Sequence, residues 1–436
     1  MSLTSFRTNF QPFITGTQGA SIAPTLNLNF VSSEKIDPRI TFTRSGPSTR
    51  FNRYCVMENV SDNTPRIDYD PNTNTKRGLL IESGKTNLLL QSNNFNAANW
   101  TTVTAAVVKA QDQLGLDGTT SAWTLDDQST ASDGAGIEQG VSITPSLTTN
   151  YCLSIWAKQG TAVGFDFYAF LGGNSTRGSL LRYIWSTDTL TVAQADGGGV
   201  IPTIFGKQAY PNGWYRFYFV VNDANNGLNT QLLYRLYPAR RDATFTGTTL
   251  FQRAQLEVGT YPSSYIPTTT TTGVRGFDTA VMSGSFFTPW YNPTEGTIVS
   301  ESATSLITSA ATYPAIWSID ENGSSANRMG AYYSVGSVNT DLYFYYRNSF
   351  TTYNSTNGRR TSTNAFMRTA TSFKASTYQF NADGFDYTTP STGSLPSTLN
   401  RLAIGSGDFW LDGWLSQLQY YPKAFTRQEL RALSLL

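Results

Sequence analysis

Between Tyr151 and Leu256 the chain returns repeatedly to one pattern: short runs with an apolar side chain at every second position, closed by Gly, Asn or Asp. Tyr151, Leu153, Ile155 and Ala157 form one face of YCLSIWA, and Phe165, Phe167 and Ala169 one face of FDFYAF. A long aromatic run, Trp214 to Val221, is entered through the turn Pro211-Asn-Gly213, and Leu250, Gln252, Ala254 and Leu256 close the set. A period of two is that of a half-buried strand, not of a helix. Several such runs at short spacing predict an antiparallel β-sandwich. The same period occurs earlier, at Leu26, Leu28 and Phe30 and again at Ile40 and Phe42.

Length and composition fit that reading. A chain of 436 residues is long enough for two to four domains. Charged residues are 14%, well below the usual quarter or so, while aromatics are also 14%, which a disordered chain does not carry. Thr, Ser, Asn and Gln must therefore solvate most of the surface, a mixture suited to strands and turns. The net charge of +1 gives no strong field, so nucleic-acid binding by charge neutralisation is not expected. Histidine is absent, which removes Ser–His–Asp and Cys–His catalysis, imidazole acid/base chemistry and His-ligated zinc. The two cysteines, Cys55 and Cys152, fall in different expected domains; free structural thiols are expected, with one interdomain bridge as the alternative. The start, MSLTSFRTNFQPFITG, lacks a charged region followed by an apolar one, so no signal peptide is expected. No run reaches the ~18 apolar residues of a spanning helix, so no membrane insertion is expected either.

The segment Arg77–Phe95, RGLLIESGKTNLLLQSNNF, resembles one that recurs in bacteriophage and prophage virion proteins, G-L-L-I-E-x-x-x-T-N-L-L-x-x-S-x-x-F. Gly78, Leu79, Leu80, Ile81, Glu82, Thr86, Asn87, Leu88, Leu89, Ser92 and Phe95 all fall in place. TFTRSGPSTRFN and PRIDYDPNTNTK precede it in the order of that family, so the likeness spans about residues 25 to 95. A second likeness is the tail Q-L-E-x-G-x-x-P-S-S-Y-I-P-T, present in full from Gln255 to Thr268. The strands Tyr151–Lys158, Gly213–Arg216 and Gln255–Gly259 are similar in order to carbohydrate-binding-module jelly rolls. At the other end, Trp414, Ser416, Leu418 and Tyr420 alternate and run into PKAFTRQELRAL, a short helix with Thr426 as N-cap and Glu429 completing a capping box. That ending resembles concanavalin A-like (laminin-G and pentraxin-like) sandwiches, with Tyr421, Phe425, Thr426, Glu429, Leu430 and Leu433 matching and Lys423 near the family's usual Arg.

The expected fold is therefore all-β: an N-terminal strand-rich attachment region, then two antiparallel β-sandwiches, a jelly roll and a concanavalin A-like domain, with a short C-terminal helix. The expected boundaries are 1–95 for the arm and connector, 96–267 for the jelly roll, 268–273 for a linker containing five consecutive threonines, and 274–436 for the lectin-like sandwich. Within the last, Phe373 to Phe380 reads as one strand and Asn381-Ala-Asp-Gly384 as a hairpin turn.

Sugar recognition uses exposed aromatic faces backed by polar side chains. The candidates are Tyr332, Tyr333, Tyr343, Tyr345, Tyr346, Phe409 and Trp410; of these, Trp410, Phe409, Tyr332 and Tyr345 are the chosen carbohydrate-binding residues, because GSGDFWLDG reads as a loop and one face of the tyrosine-rich strands must point inward. No cofactor is expected. Calcium is the alternative, with Asp320 (beside Glu321 and Asn322), Asp408 and Asp412 as candidate ligands, although their spacing matches no calcium loop. No paired-carboxylate strand is present, and Asp126-Asp127 and Asp383/Asp386 read as turn residues, so no catalysis is expected. The resemblance implies a virion protein, folded in the host cytoplasm and released with the particle. It implies a tail fibre or adhesin that attaches to other virion proteins through its N-terminal region and recognises host-surface polysaccharide. A symmetric homo-oligomer is expected, a trimer fitting fibres and spikes. The alternatives are a capsid decoration or head-fibre protein, and a glycan depolymerase.

Overall fold

The structure is a computed structural model that describes residues 22–104, 107–129, 134–241, 245–305, 313–335, 340–348, 351–355, 364–387, 394–407 and 409–435. It is all-β as expected, with two antiparallel sandwiches and the one α-helix Arg427–Ser434 among the described residues. No helix there is long and apolar enough to cross a membrane.

The chain divides into two units, but not at the expected places. In chain order the inner unit is built on Phe42–Asp278; the outer unit combines the chain before Phe42 with Thr279–Thr304 and Ala310–Leu436. The first 95 residues are therefore not a body of their own. Strand Leu26–Asn29 pairs antiparallel with Gly413–Tyr421 in the outer unit, with Leu28 opposite Leu418. Residues from Phe42 onward pack on the jelly roll instead. The threonine run is no free linker either. Thr268 is buried and exchanges hydrogen bonds with Ser92, Thr269 accepts from the Gln91 amide, and Gly273–Arg275 already pairs with Lys85–Asn87. Only Thr269–Thr272 faces water, so a polar surface turn accounts for a stretch that has no apolar residue to bury.

The inner unit is the jelly roll. One sheet runs Phe205–Ala209, Tyr215–Val221, Tyr151–Gln159, Gly247–Val258, Ala122–Asp127, Val108–Gln113; the other runs Thr189–Gln194, Arg177–Ile184, Gly164–Gly172, Gln231–Tyr237, Gly136–Ser142, Thr101–Val103. The alternation read from sequence sets which side faces in. Leu153, Ile155, Phe217 and Phe219 meet Phe165 and Phe167, with Phe165–Phe217 and Phe167–Phe219 both edge-to-face at 4.9 Å. Each buried Phe contributes about 1.5–3 kcal/mol. Trp156 and Trp214, from the outer face of the first sheet, lie in a second cluster with Phe51, Met57, Tyr69 and Tyr265. That face is covered by the polypeptide that precedes the jelly roll.

The two segments that carry the family resemblance hold each other. Asn87, fully buried, donates to the carbonyls of Ala254 and Ile266 and accepts from the amides of Leu256 and Leu89. Ser92 Oγ lies 2.7 Å from the Tyr265 hydroxyl. Glu82 accepts from Arg66 at 2.7 Å, pairs with Arg275 at 2.9 Å and accepts from the Ser264 amide and hydroxyl at 2.8 and 2.6 Å. Arg66 also donates to Asp278, which lies 3.3 Å from Arg44. Burial alone would raise the Glu82 carboxyl, but Arg275 and Arg66 outweigh it and hold it down to about 2.

The outer unit is the concanavalin A-like sandwich. Among this unit's own strands, one sheet orders Phe385–Tyr387, Thr377–Ala382, Met367–Lys374, Glu295–Thr304 and Gly413–Tyr421, with Leu26–Asn29 beside the last; the other orders Thr279–Ser283, Arg401–Ile404, Ala315–Asp320, Arg328–Val335, Thr340–Asn348 and Thr351–Ser355. Tyr333 crosses between them to donate to the Ser302 carbonyl, and Tyr346 stacks on Tyr378 at 4.0 Å. The stretch Phe373–Phe380 is not one strand but a hairpin, Met367–Lys374 and Thr377–Ala382, because Ser376 turns the chain at φ 57°. The turn at Asp383-Gly384 is as expected, both residues having positive φ. So is the helix: Thr426 accepts from the Glu429 amide while Glu429 accepts from the Thr426 amide.

Candidate functional site

The loop Gly405–Asp412 leaves strand Arg401–Ile404 and enters Gly413–Tyr421. Both ends are reversals, Gly405 at φ 64° and Asp412 at φ 45°. It is tied down at several points. The Leu411 amide donates to Gly405 O at 2.8 Å, Ser318 Oγ donates to Ser406 O at 3.1 Å, and the Ala315 amide donates to Phe409 O at 3.3 Å. Leu411 is fully buried and pins the loop from beneath. Phe409, at 43% exposure, is therefore a large apolar ring presented to water from an ordered backbone, and Trp410 beside it is half-buried. Tyr313, which precedes the Pro314–Phe409 bridge, is exposed to the same degree at 44%.

The expected tyrosines reach this loop in part. Tyr332 stands opposite Ala315 in the strand register. A side chain at Gly407 would meet the Tyr332 hydroxyl at 2.9 Å, so the glycine is what lets the loop lie on that ring. Tyr332 is consequently buried, 1% exposed, and is no stacking platform. It supports Tyr345 instead: the rings are 4.6 Å apart and the Tyr332 hydroxyl donates to that of Tyr345 at 3.2 Å. Tyr345 remains half-buried at the surface. Tyr333 and Tyr346 point into the sandwich core, as the strand period requires. The side chain of Tyr343 lies outside the described residues. Phe409, Trp410 and Tyr345, with Tyr313 added, are the aromatics this edge offers. Tyr313 sits just outside the strand pattern, and sequence reasoning passed over it for that reason.

Among the described residues the candidate calcium ligands form no metal-binding group. Asp320 is fully buried and takes both nitrogens of an Arg401 fork, at 2.8 and 2.9 Å, with the Gly323 amide at 2.7 Å and Arg328 within 3.9 Å. Its oxygens serve guanidinium groups rather than a hard cation. Asp412 is buried at the loop's closing turn, and Asp408 lies outside the described residues. Among the described residues no three His, Cys, Asp or Glu side chains are grouped for a metal. The remaining acidic pairs serve the fold. Asp127 accepts from the amides of Ser129 and Ala135, Asp383 accepts from the Arg368 amide, and Asp386 accepts from Asn381 and Arg431. Both cysteines are free thiols, and burial pushes that of Cys152 well above its ordinary value.

A second surface was not anticipated. The outer face of the second jelly-roll sheet carries Leu180, Phe170 and Leu233 half-buried, flanked by the pairs Arg182–Asp166 at 2.6 Å and Arg235–Glu138 at 2.5 Å. Arg235 lies over the Phe170 ring at 4.8 Å.

No protein-family model and no curated protein matches the chain. Among solved structures it is similar to the Ruminococcus gnavus IT-sialidase CBM40 bound to α2,3-sialyllactose, with 14% identity and a TM-score of 0.28 over 33% of this chain and 84% of that one. It is similar to mouse laminin α1 chain domains LG4-5 at 11% identity and TM-score 0.23, over 70% of this chain and 91% of that one. A Trypanosoma rangeli sialidase in complex with the inhibitor DANA gives 9% identity and TM-score 0.28, over 95% and 97%. At such scores the fold assignment rests on the sheets themselves.

Proposed function

We propose that this chain is a structural protein of a phage particle that recognises glycans on the host surface and carries out no chemistry. The observation that carries the glycan part is the aromatic edge of the outer unit. Phe409 is large, exposed and held by a loop whose backbone is bonded at both ends and in the middle. Tyr345 and Trp410 lie half-buried nearby, and a buried tyrosine backs Tyr345. Flat apolar rings on a rigid support suit the apolar faces of pyranoses, whose binding costs little if the rings are already in place. The virion part rests on the sequence resemblance at residues 25–95 and 255–268. In that setting the N-terminal residues attach to other virion proteins, the protein assembles as a symmetric oligomer, and many weak sites act together.

A glycan array, with pull-down on host envelope polysaccharide, tests this reading using the whole chain. Retention on one class of polysaccharide supports it. Absence of binding at micromolar site concentrations overturns the recognition claim, and release of reducing ends overturns the claim that no chemistry occurs.

A further inference from the structure

At one edge of the jelly roll, the two sheets are joined by a lysine. Lys207 lies on the edge strand Phe205–Ala209 of the first sheet. Its ammonium sits 4.7 Å from the ring centre of Tyr183, in the second sheet, and 4.9 Å from that of Tyr215, in its own. Trp185 packs on both of these rings, edge-on to Tyr183 at 4.9 Å and 6.5 Å from Tyr215. Asp188, in the hairpin turn after Trp185, bonds both the Lys207 ammonium and the Tyr183 hydroxyl from the solvent side; its side chain is 67% exposed. Two aromatic faces against one ammonium, with a third ring packed on both, resemble the arrangement that binds organic cations through the negative faces of the rings. Phe165 and Phe217 lie behind the rings, so the seat is dry on its inner side. The Trp185 indole N–H is buried with no hydrogen-bond partner among the described residues. A buried donor without an acceptor is costly for a fold to keep, and this one belongs to the ring that packs on both tyrosines holding the ammonium.

We infer that Tyr183, Trp185 and Tyr215 form a binding site for a choline-type headgroup, a quaternary ammonium with an oxygen two carbons away, and that Lys207 is its resident stopper. Exchange is chemically simple. A quaternary ammonium has no N–H bonds to forfeit on entering an aromatic seat. The lysine does have them, and it keeps its Asp188 partner when its flexible four-carbon stem swings outward. The oxygen of the entering group supplies the acceptor that the indole N–H lacks. Occupancy by Lys207 weakens the apparent affinity in proportion to the time the seat is filled, so removing the lysine strengthens binding. This site is distinct from the aromatic edge of the outer unit and does not depend on glycan recognition there.

Saturation-transfer NMR of the full chain with choline chloride, against equal sodium chloride, tests the assignment. The expected result is a saturable millimolar response in the natural chain, roughly tenfold tighter in Lys207→Ala and lost in Tyr215→Leu. Lys207→Ala empties the seat from an edge strand and leaves the rings in place, so the comparison survives even if Tyr215→Leu fails to fold. No response in either the natural chain or Lys207→Ala overturns the inference, as does an undiminished response in folded Tyr215→Leu. Co-sedimentation with phosphatidylcholine vesicles makes a lipid the source of the headgroup; a choline response without sedimentation makes it a soluble or polymer-borne choline.

Discussion

The Arg66 guanidinium donates to the Glu82 carboxylate at 2.7 Å with both side chains closed off from solvent, which makes the inner unit sensitive to acid. Glu82 has its folded carboxyl lowered from 4.5 to about 2, so its stabilisation is complete above about pH 4.5 and is lost as pH falls toward 2. Glu82→Gln strands buried guanidinium charge and is expected to cost roughly 3–5 kcal/mol near neutral pH, while removing this group's share of the slope below pH 4.5. Denaturant melts from pH 7 to 2.5 check both. A variant with natural stability and the natural acid slope would dismiss the pair as the anchor.

The cysteines should separate by reactivity. Cys152 is buried with its thiol pushed up by burial, whereas Cys55 is partly open. An aromatic disulfide reagent at pH 8 is expected to modify one thiol per native chain and two after unfolding. Peptide mapping should place the native label on Cys55.

On the aromatic edge, Phe409→Ala is expected to weaken glycan retention roughly threefold to tenfold, the worth of one stacking ring, with the melting temperature nearly unchanged. Tyr332→Phe removes only the hydroxyl that steadies Tyr345 and should weaken binding by less. Equal retention by natural protein and folded Phe409→Ala would take that ring out of the site.

At the C-terminal helix, Thr426→Ala removes a cap whose partner Glu429 reciprocates. A loss of about 1 kcal/mol in the outer unit is expected. Thr426→Ser should restore most of it, as read by urea unfolding.

Much of the fold is legible because alternation is a local property. Leu153 or Phe167 declares which way it points through its second neighbours alone, and Thr426 with Glu429 declares a helix start within four residues. The unit boundaries are not local, and there the sequence misleads. Five threonines look like a linker because nothing in them needs burial, yet Thr268 meets Ser92 from 176 residues away. Nor does any short window tell that Arg66, Glu82, Ser264, Arg275 and Asp278 converge, although an arginine and a glutamate set in apolar strands are the residues to suspect. At the candidate site, the loop was readable from its glycines, and so was the exposure of Phe409. The burial of Tyr332 was not, because it depends on Gly407 bringing the loop down onto that ring. In sequence Asp320 reads as an open acidic turn, whereas in the fold Arg401, 81 residues on, occupies it.

The pairing of Leu26–Asn29 with Gly413–Tyr421 also fixes an order of events at the ribosome. Asn27 and Gln419, which touch side chain to side chain, are 392 positions apart, and the whole of Phe42–Asp278 is synthesised between them. The jelly roll is finished while its host sandwich still has only its first strand. That strand, LNLN, must wait with its edge unpaired until Gly413–Tyr421 emerges. A nascent chain stalled once Asp278 has cleared the exit tunnel would thus present a completed insert tethered to a lone β-strand, and emergence of Gly413–Tyr421 is the step that pairs that strand.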